Sequence, residues 1–132
     1  MEKARKAIRD GNFENSVTRS IACLESVMRI CHEMLEQPLP SKKQISDLWK
    51  STRDILHFDE RDPSGATLIL MNALSGVVTH LGGLRNTLGD AHGKGIFPPG
   101  VSENIAELAI NTASTLSTAI IRRFNQIKEE AK

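Results

Sequence analysis

The sequence predicts an all-α protein: a four-helix up-and-down bundle with a short extra helix at its N-terminus. Three observations carry this. Apolar residues recur at alternating spacings of four and three along the long segments, which is the period of a helix face, and no segment has the period of two expected of a half-buried strand. Turn-forming clusters separate those segments, at Pro38-Leu39-Pro40, at 57–65 and at Phe97-Pro98-Pro99-Gly100. The chain of 132 residues, 39% apolar and 25% charged, is the right size for one core, so a single domain over 1–132 is expected.

The elements follow in order. Met1 to Asp10 is charged but carries Ala4, Ala7 and Ile8, enough for a helical turn or two closed by Gly11. From Phe13 to Leu35 the stripe Val17, Ile21, Leu24, Met28, Cys31, Leu35 defines the first long helix, which stops before Pro38. Ser41 with Gln44 has the spacing of a capping box, and Ile45, Leu48, Trp49, Ile55 and Leu56 keep helical spacing behind it. A polar connector, His57 to Gly65, leads to Ala66–Leu88, whose stripe Leu70, Leu74, Val77, Leu81, Leu84, Leu88 predicts the most buried helix of the bundle. Gly76, Gly82 and Gly83 weaken that helix, so close approach by another helix or chain is the expected compensation. Ser102 caps the last helix, with Ile105, Leu108, Ala109, Thr112, Leu116, Ala119, Ile120, Phe124 and Ile127 on its inner face.

Charge and cysteine usage restrict the classes of function. With 17 basic and 16 acidic side chains the net charge is +1, so any nucleic-acid site must be local. Four Phe, one Trp and no Tyr leave few aromatic platforms for stacking bases. Cys23 and Cys31 stand eight residues apart on one helix, about 12 Å at the helical rise and beyond disulfide reach. They read as thiols of a reducing compartment. No uninterrupted apolar run approaches a membrane span and the polar start is no signal peptide, so a cytoplasmic protein without membrane association is expected.

The chemistry concentrates between Leu84 and Gly95, where Arg85, Asn86, Asp90, His92 and Lys94 stand among glycines. The reading is an apolar helix ending near Leu88 and running into a glycine-broken loop that carries the histidine. Arginine matches phosphate oxygens with a planar fork of donors, and histidine moves a proton near neutral pH. Phosphate-loop, nucleophile-elbow, His-Glu-x-x-His and Cys-x-x-Cys patterns do not occur, and nothing in the sequence points to a cofactor or a metal site.

The run Arg85-Asn86 followed by Gly89-Asp90-Ala91-His92-Gly93 resembles the signature of the abortive infection C-terminal domain family, within the HEPN superfamily of helical RNases. The segments Asp10–Leu35 and Glu107–Thr115 resemble the first and last long helices of that family, so the likeness spans nearly the whole chain. The resemblance implies a metal-independent endoribonuclease of a phage-defence or toxin–antitoxin system. Arg85 would contact the phosphate, His92 would transfer the proton, and Asn86 would orient either. The narrower family pattern adds Asp90 as a support for the loop or the imidazole. It also places an acidic residue at Glu25, which would fix the Arg85 guanidinium. Lys94 is an inferred RNA-backbone contact. RNA and a second copy of the chain are the expected partners, the latter because cleavage uses both an acid and a base. An antitoxin or an additional N-terminal sensor protein would complete such a system. The competing class is a non-catalytic helical dimerisation module that binds RNA, a nucleotide or a protein.

Overall fold

The computed structural model of the chain describes residues 1–42, 44–58, 65–93 and 101–132, with side chains described throughout these except at 89–93. It contains five helices, α1 (Glu2–Arg9), α2 (Phe13–Met34), α3 (Ile45–Leu56), α4 (Ala66–Gly93) and α5 (Glu103–Glu130), and no strand among the described residues. The all-helical architecture, a bundle of four principal helices behind a short N-terminal one, is the predicted fold.

The core is built on α2. Asn12 caps it by accepting a hydrogen bond from the Asn15 N–H at 3.3 Å, and Gly11 makes the turn from α1 with φ at +75°, a backbone region that disfavours a Cβ. The predicted stripe Val17, Ile21, Leu24 and Met28 is wholly excluded from solvent. Each such side chain contributes about 1.5–3 kcal/mol of transfer free energy. α2 packs most extensively against α5, which offers Ala106, Ala109, Ala113, Leu116 and Ile120. Small residues let the two backbones approach closely. Ser16 and Ser117, buried on these two helices, keep hydroxyls without a hydrogen-bond partner among the described residues.

Three expectations need correction here. The Ser41–Gln44 capping box does not form: Gln44 itself is the N-cap of α3, in extended conformation and with no side-chain cap bond, because the helix starts three residues later than Ser41 requires. The inner face of α5 is the expected one at Ala109, Leu116 and Ile120 but departs from it elsewhere. Ala106, Ile110, Ala113 and Ser117 are buried, whereas Ile105 and Leu108 are exposed. At the start of α5 Ile105 and Leu108 suggested the stripe, but Ala106, Ala109 and Ile110 are the residues enclosed.

The third correction concerns α4. It was expected to be the most buried helix, yet only Met71, Val78 and Leu88 among its large apolar residues are buried, while Leu68, Ile69, Leu70 and Val77 are exposed. It packs on α3 and α2 and makes little direct contact with α5. By length and composition alone Ala66–Leu88 is also apolar enough to cross a membrane, at a mean hydropathy of 1.4, because its scattered polar residues interrupt the apolar run without lowering the average far. Polar ties nevertheless fix it to its neighbours. Trp49 Nε1 and Arg53 Nη1 both donate to Ser75 Oγ, at 2.8 and 2.9 Å, and Ser75 Oγ donates to the Met71 carbonyl at 3.0 Å. Arg53 also donates to Asn72 Oδ1 at 3.3 Å.

The last turn of α3 and the buried histidine of α2 complete the frame. His57 ends α3 in the left-handed region at φ 54°, and Arg123 of α5 donates from Nε to the Leu56 carbonyl at 2.7 Å, a cation on an open helix C-terminus. His32 is buried with both ring nitrogens engaged, one by the Met28 carbonyl at 2.8 Å and one by Ser51 Oγ at 2.7 Å.

Candidate functional site

α4 carries the motif, and it runs further than the sequence suggested. The expected helix end near Leu88, followed by a glycine-broken loop, is overturned: α4 continues unbroken to Gly93. Glycine permits left-handed turns without forcing them, so Gly89 and Gly93 are compatible with a helical backbone. Residues 85 and 92 therefore lie on one helix, seven positions and about two turns apart, with their backbones about 10 Å from each other along the axis. That spacing returns to the same angular position. The motif is a register on a helix rather than two ends of a loop.

Arg85 is held from the bundle side. Its Nη1 donates to Glu25 Oε1 of α2, an ion pair across 60 positions of chain whose side chains are 28% and 15% exposed. Among the described residues the guanidinium makes no other hydrogen bond, and this one is charge-assisted on both sides. Glu25 thus occupies the place anticipated for it. The side chains of Asp90 and His92 lie outside the described residues, and so does all of Lys94, together with the Phe97–Gly100 turn and most of the connector between α3 and α4.

Asn86 faces a different neighbour. A pocket of about 560 Å³ opens between the start of α3 and the middle of α4, lined by Gln44, Ile45, Ser46, Thr79, Gly82, Gly83, Arg85 and Asn86. Gly82 is required by packing: a Cβ there would sit 2.5 Å from Ile45 Cγ2. The expected close helix approach is therefore found at this position, while Gly76 and Gly83 have nothing within 4 Å of a Cβ. Sequence reasoning missed Gln44, Ser46 and Thr79, which join the motif only because α3 and α4 run antiparallel. The consecutive glycines at 82 and 83 were the one trace of that meeting.

A second concavity flanks the free side of α4. Ala73, Gly76, Val77, His80 and Leu81 face Leu108 and Thr112 of α5 across an open, mainly apolar groove. His80 is exposed on it.

The chain is a helical bundle whose long fourth helix carries positions 85 and 92 two turns apart. In a comparison with protein families, the model Abi_C, described as a HEPN-like domain, matches residues 1–124. The chain belongs to this family, the abortive infection group within the HEPN superfamily. No curated protein and no solved structure matched the chain.

Proposed function

We propose that this domain is a metal-independent endoribonuclease of a phage-defence or toxin–antitoxin system. The observation that carries the reading is the Arg85–Glu25 pair: a guanidinium fixed at the wall of an open pocket, on the helix that also bears position 92 two turns further on. RNA supplies its own nucleophile. His92 takes the proton from a 2′-hydroxyl, the 2′-oxygen forms a bond to phosphorus, and the bond from phosphorus to the 5′-oxygen breaks. The leaving oxygen takes a proton, and the products are a 2′,3′-cyclic phosphate and a 5′-hydroxyl. Arg85 stabilises the charge on the phosphorane oxygens, with Asn86 orienting the phosphate or the histidine, Asp90 supporting the imidazole or the loop, and Lys94 contacting the RNA backbone.

The same reading calls for a homodimer with the two motif segments near its two-fold axis, where one His92 acts as base and its counterpart as acid. The exposed apolar residues of α4 and α5, among them Ile69, Leu70, Val77 and Leu108, support a second copy rather than a bilayer as the covering partner, because α4 is tied to α3 and α2 by hydrogen bonds and an ion pair along its length. On this reading the protein works in the cytoplasm. Purified protein incubated with RNA in EDTA is expected to yield cyclic-phosphate ends, and light scattering is expected to give the mass of a dimer. A strict monomer at high micromolar concentration would remove the composite site.

One observation favours the second reading, a non-catalytic module. The charge of Arg85 is already balanced by Glu25, which suits a structural pair. Binding of RNA with no cleavage at any pH would select that reading.

A further inference from the structure

We propose that the pocket between the start of α3 and the middle of α4 is a nucleotide-recognition subsite, in which a nucleobase lies on the bare backbone at Gly83 and the amides of Gln44 and Asn86 read its edge. The proposal rests on the ribonuclease reading for its biological role, but the binding it asserts is tested separately from cleavage.

Gly83 is the starting point. A glycine inside a helix costs about 0.5–1 kcal/mol relative to alanine, and such a cost is compensated where something approaches the backbone closely. Gly82 has its compensation in Ile45. At Gly83 a Cβ would meet nothing within 4 Å, and the residue lines the pocket. Its missing side chain therefore leaves a flat patch of backbone open to a ligand.

The chemistry around that patch suits a base. Gln44, Ser46 and Asn86 line the pocket, and their side chains make no hydrogen bond to any described residue. Each amide offers two donors and an acceptor, the complement of a base edge. Gln44 is free because it caps α3 with its backbone and not with its side chain. Ile45 and the glycines supply an apolar floor, which suits a protein with few aromatic residues for stacking. At about 560 Å³ the pocket falls within the roughly 300–1,000 Å³ range of small-molecule sites. Arg85 at its edge places a phosphate-binding cation next to the base.

The test uses the four ribonucleoside 3′-monophosphates as probes. In amide-resolved NMR of the full chain, at least one of them is expected to shift the side-chain amide signals of Gln44 and Asn86 and the backbone signal of Gly83. Gly83→Leu fills the patch with a good helix former, so the variant should fold at least as stably as wild type and weaken that binding by about tenfold or more. Gln44→Glu replaces donors with acceptors and is expected to change which of the four bases binds most tightly. The inference is overturned if no nucleotide moves those three signals, or if Gly83→Leu binds all four as wild type does. Absence of RNA cleavage with intact nucleotide binding overturns the ribonuclease reading alone, and cleavage without any of these shifts overturns the subsite alone.

Discussion

α2 and α4 are both long, both striped with apolar residues, and oppositely used. On α2 the apolar stripe and the buried stripe coincide, with Val17, Ile21, Leu24 and Met28 fully enclosed. On α4, the more apolar of the two, Ile69 is 74% exposed and Leu70 is 58% exposed. The difference shows that hydrophobic periodicity reports which face wants burial, while the partner that buries it must come from elsewhere in the fold or from another chain. α2 finds α5 and α3. α4 finds α3 and α2 along one side and leaves a second side open, and the candidate site lies on the helix that is least consumed by the core.

The largest effect should separate the two helices directly. Leu24→Ala is expected to destabilise the fold by about 2–5 kcal/mol, since it opens a cavity in a closed core. Ile69→Ser should change the stability of the isolated subunit by no more than about 0.5 kcal/mol and instead weaken self-association. Urea unfolding together with concentration-dependent light scattering would measure both. Equal losses of subunit stability would mean that the exposed face of α4 is covered within the chain.

Next in size is the join between the helices. Glu25→Ala leaves Arg85 without its partner and should cost about 1–3 kcal/mol, with a fall in RNA cleavage that exceeds any loss of folded protein. Unchanged cleavage would show that Glu25 does not position the guanidinium. The adjacent glycines give a sharper contrast. Gly82→Ala must displace Ile45 and should destabilise by about 1–3 kcal/mol, whereas Gly83→Ala should stabilise by about 0.5–1 kcal/mol. Thermal melts of the two variants that move the same way would contradict the packing described for them.

The smallest effect is a titration in α2. Burial pushes the Cys31 thiol above its ordinary value of 9.0. The folded state then holds its proton while the unfolded state releases it. The corresponding stability is complete below that value and is lost as pH rises through the folded-state value. Wild type should therefore lose melting temperature above about pH 9 more steeply than Cys31→Ala, with the two compared by the change across pH rather than by absolute stability.

How far the sequence can be read follows from the same contrast. The stripe of α2, the caps at Ser102 and the boundaries of α1 and α2 are local properties, and local chemistry determines them. Glu25 opposite Arg85 was reached through family resemblance, since 60 positions separate them and no periodicity links the two. The course of α4 through Gly89 was misread because glycine marks a permitted break and not an obligatory one. The start of the inner face of α5 was misread because Ile105 and Leu108 drew the stripe, while packing enclosed Ala106, Ile110 and Ala113. Gln44 and Ser46 became part of the site only through the antiparallel pairing of α3 and α4, a tertiary fact with no local trace beyond Gly82-Gly83.

The central claim is that Arg85 and His92 act together on an RNA phosphate. It is tested most directly by single-turnover cleavage of an end-labelled RNA in EDTA, across the pH range of histidine, for wild type, Arg85→Lys and His92→Ala. Wild type should give cyclic-phosphate ends and a bell-shaped rate profile near neutrality, belonging to the coupled pair of histidines rather than to either ring. His92→Ala should abolish cleavage while remaining folded, and Arg85→Lys, which keeps the charge but loses the planar fork, should cut far more slowly. Full activity in His92→Ala, a rate flat across that range, or an absolute need for a divalent ion would contradict the account.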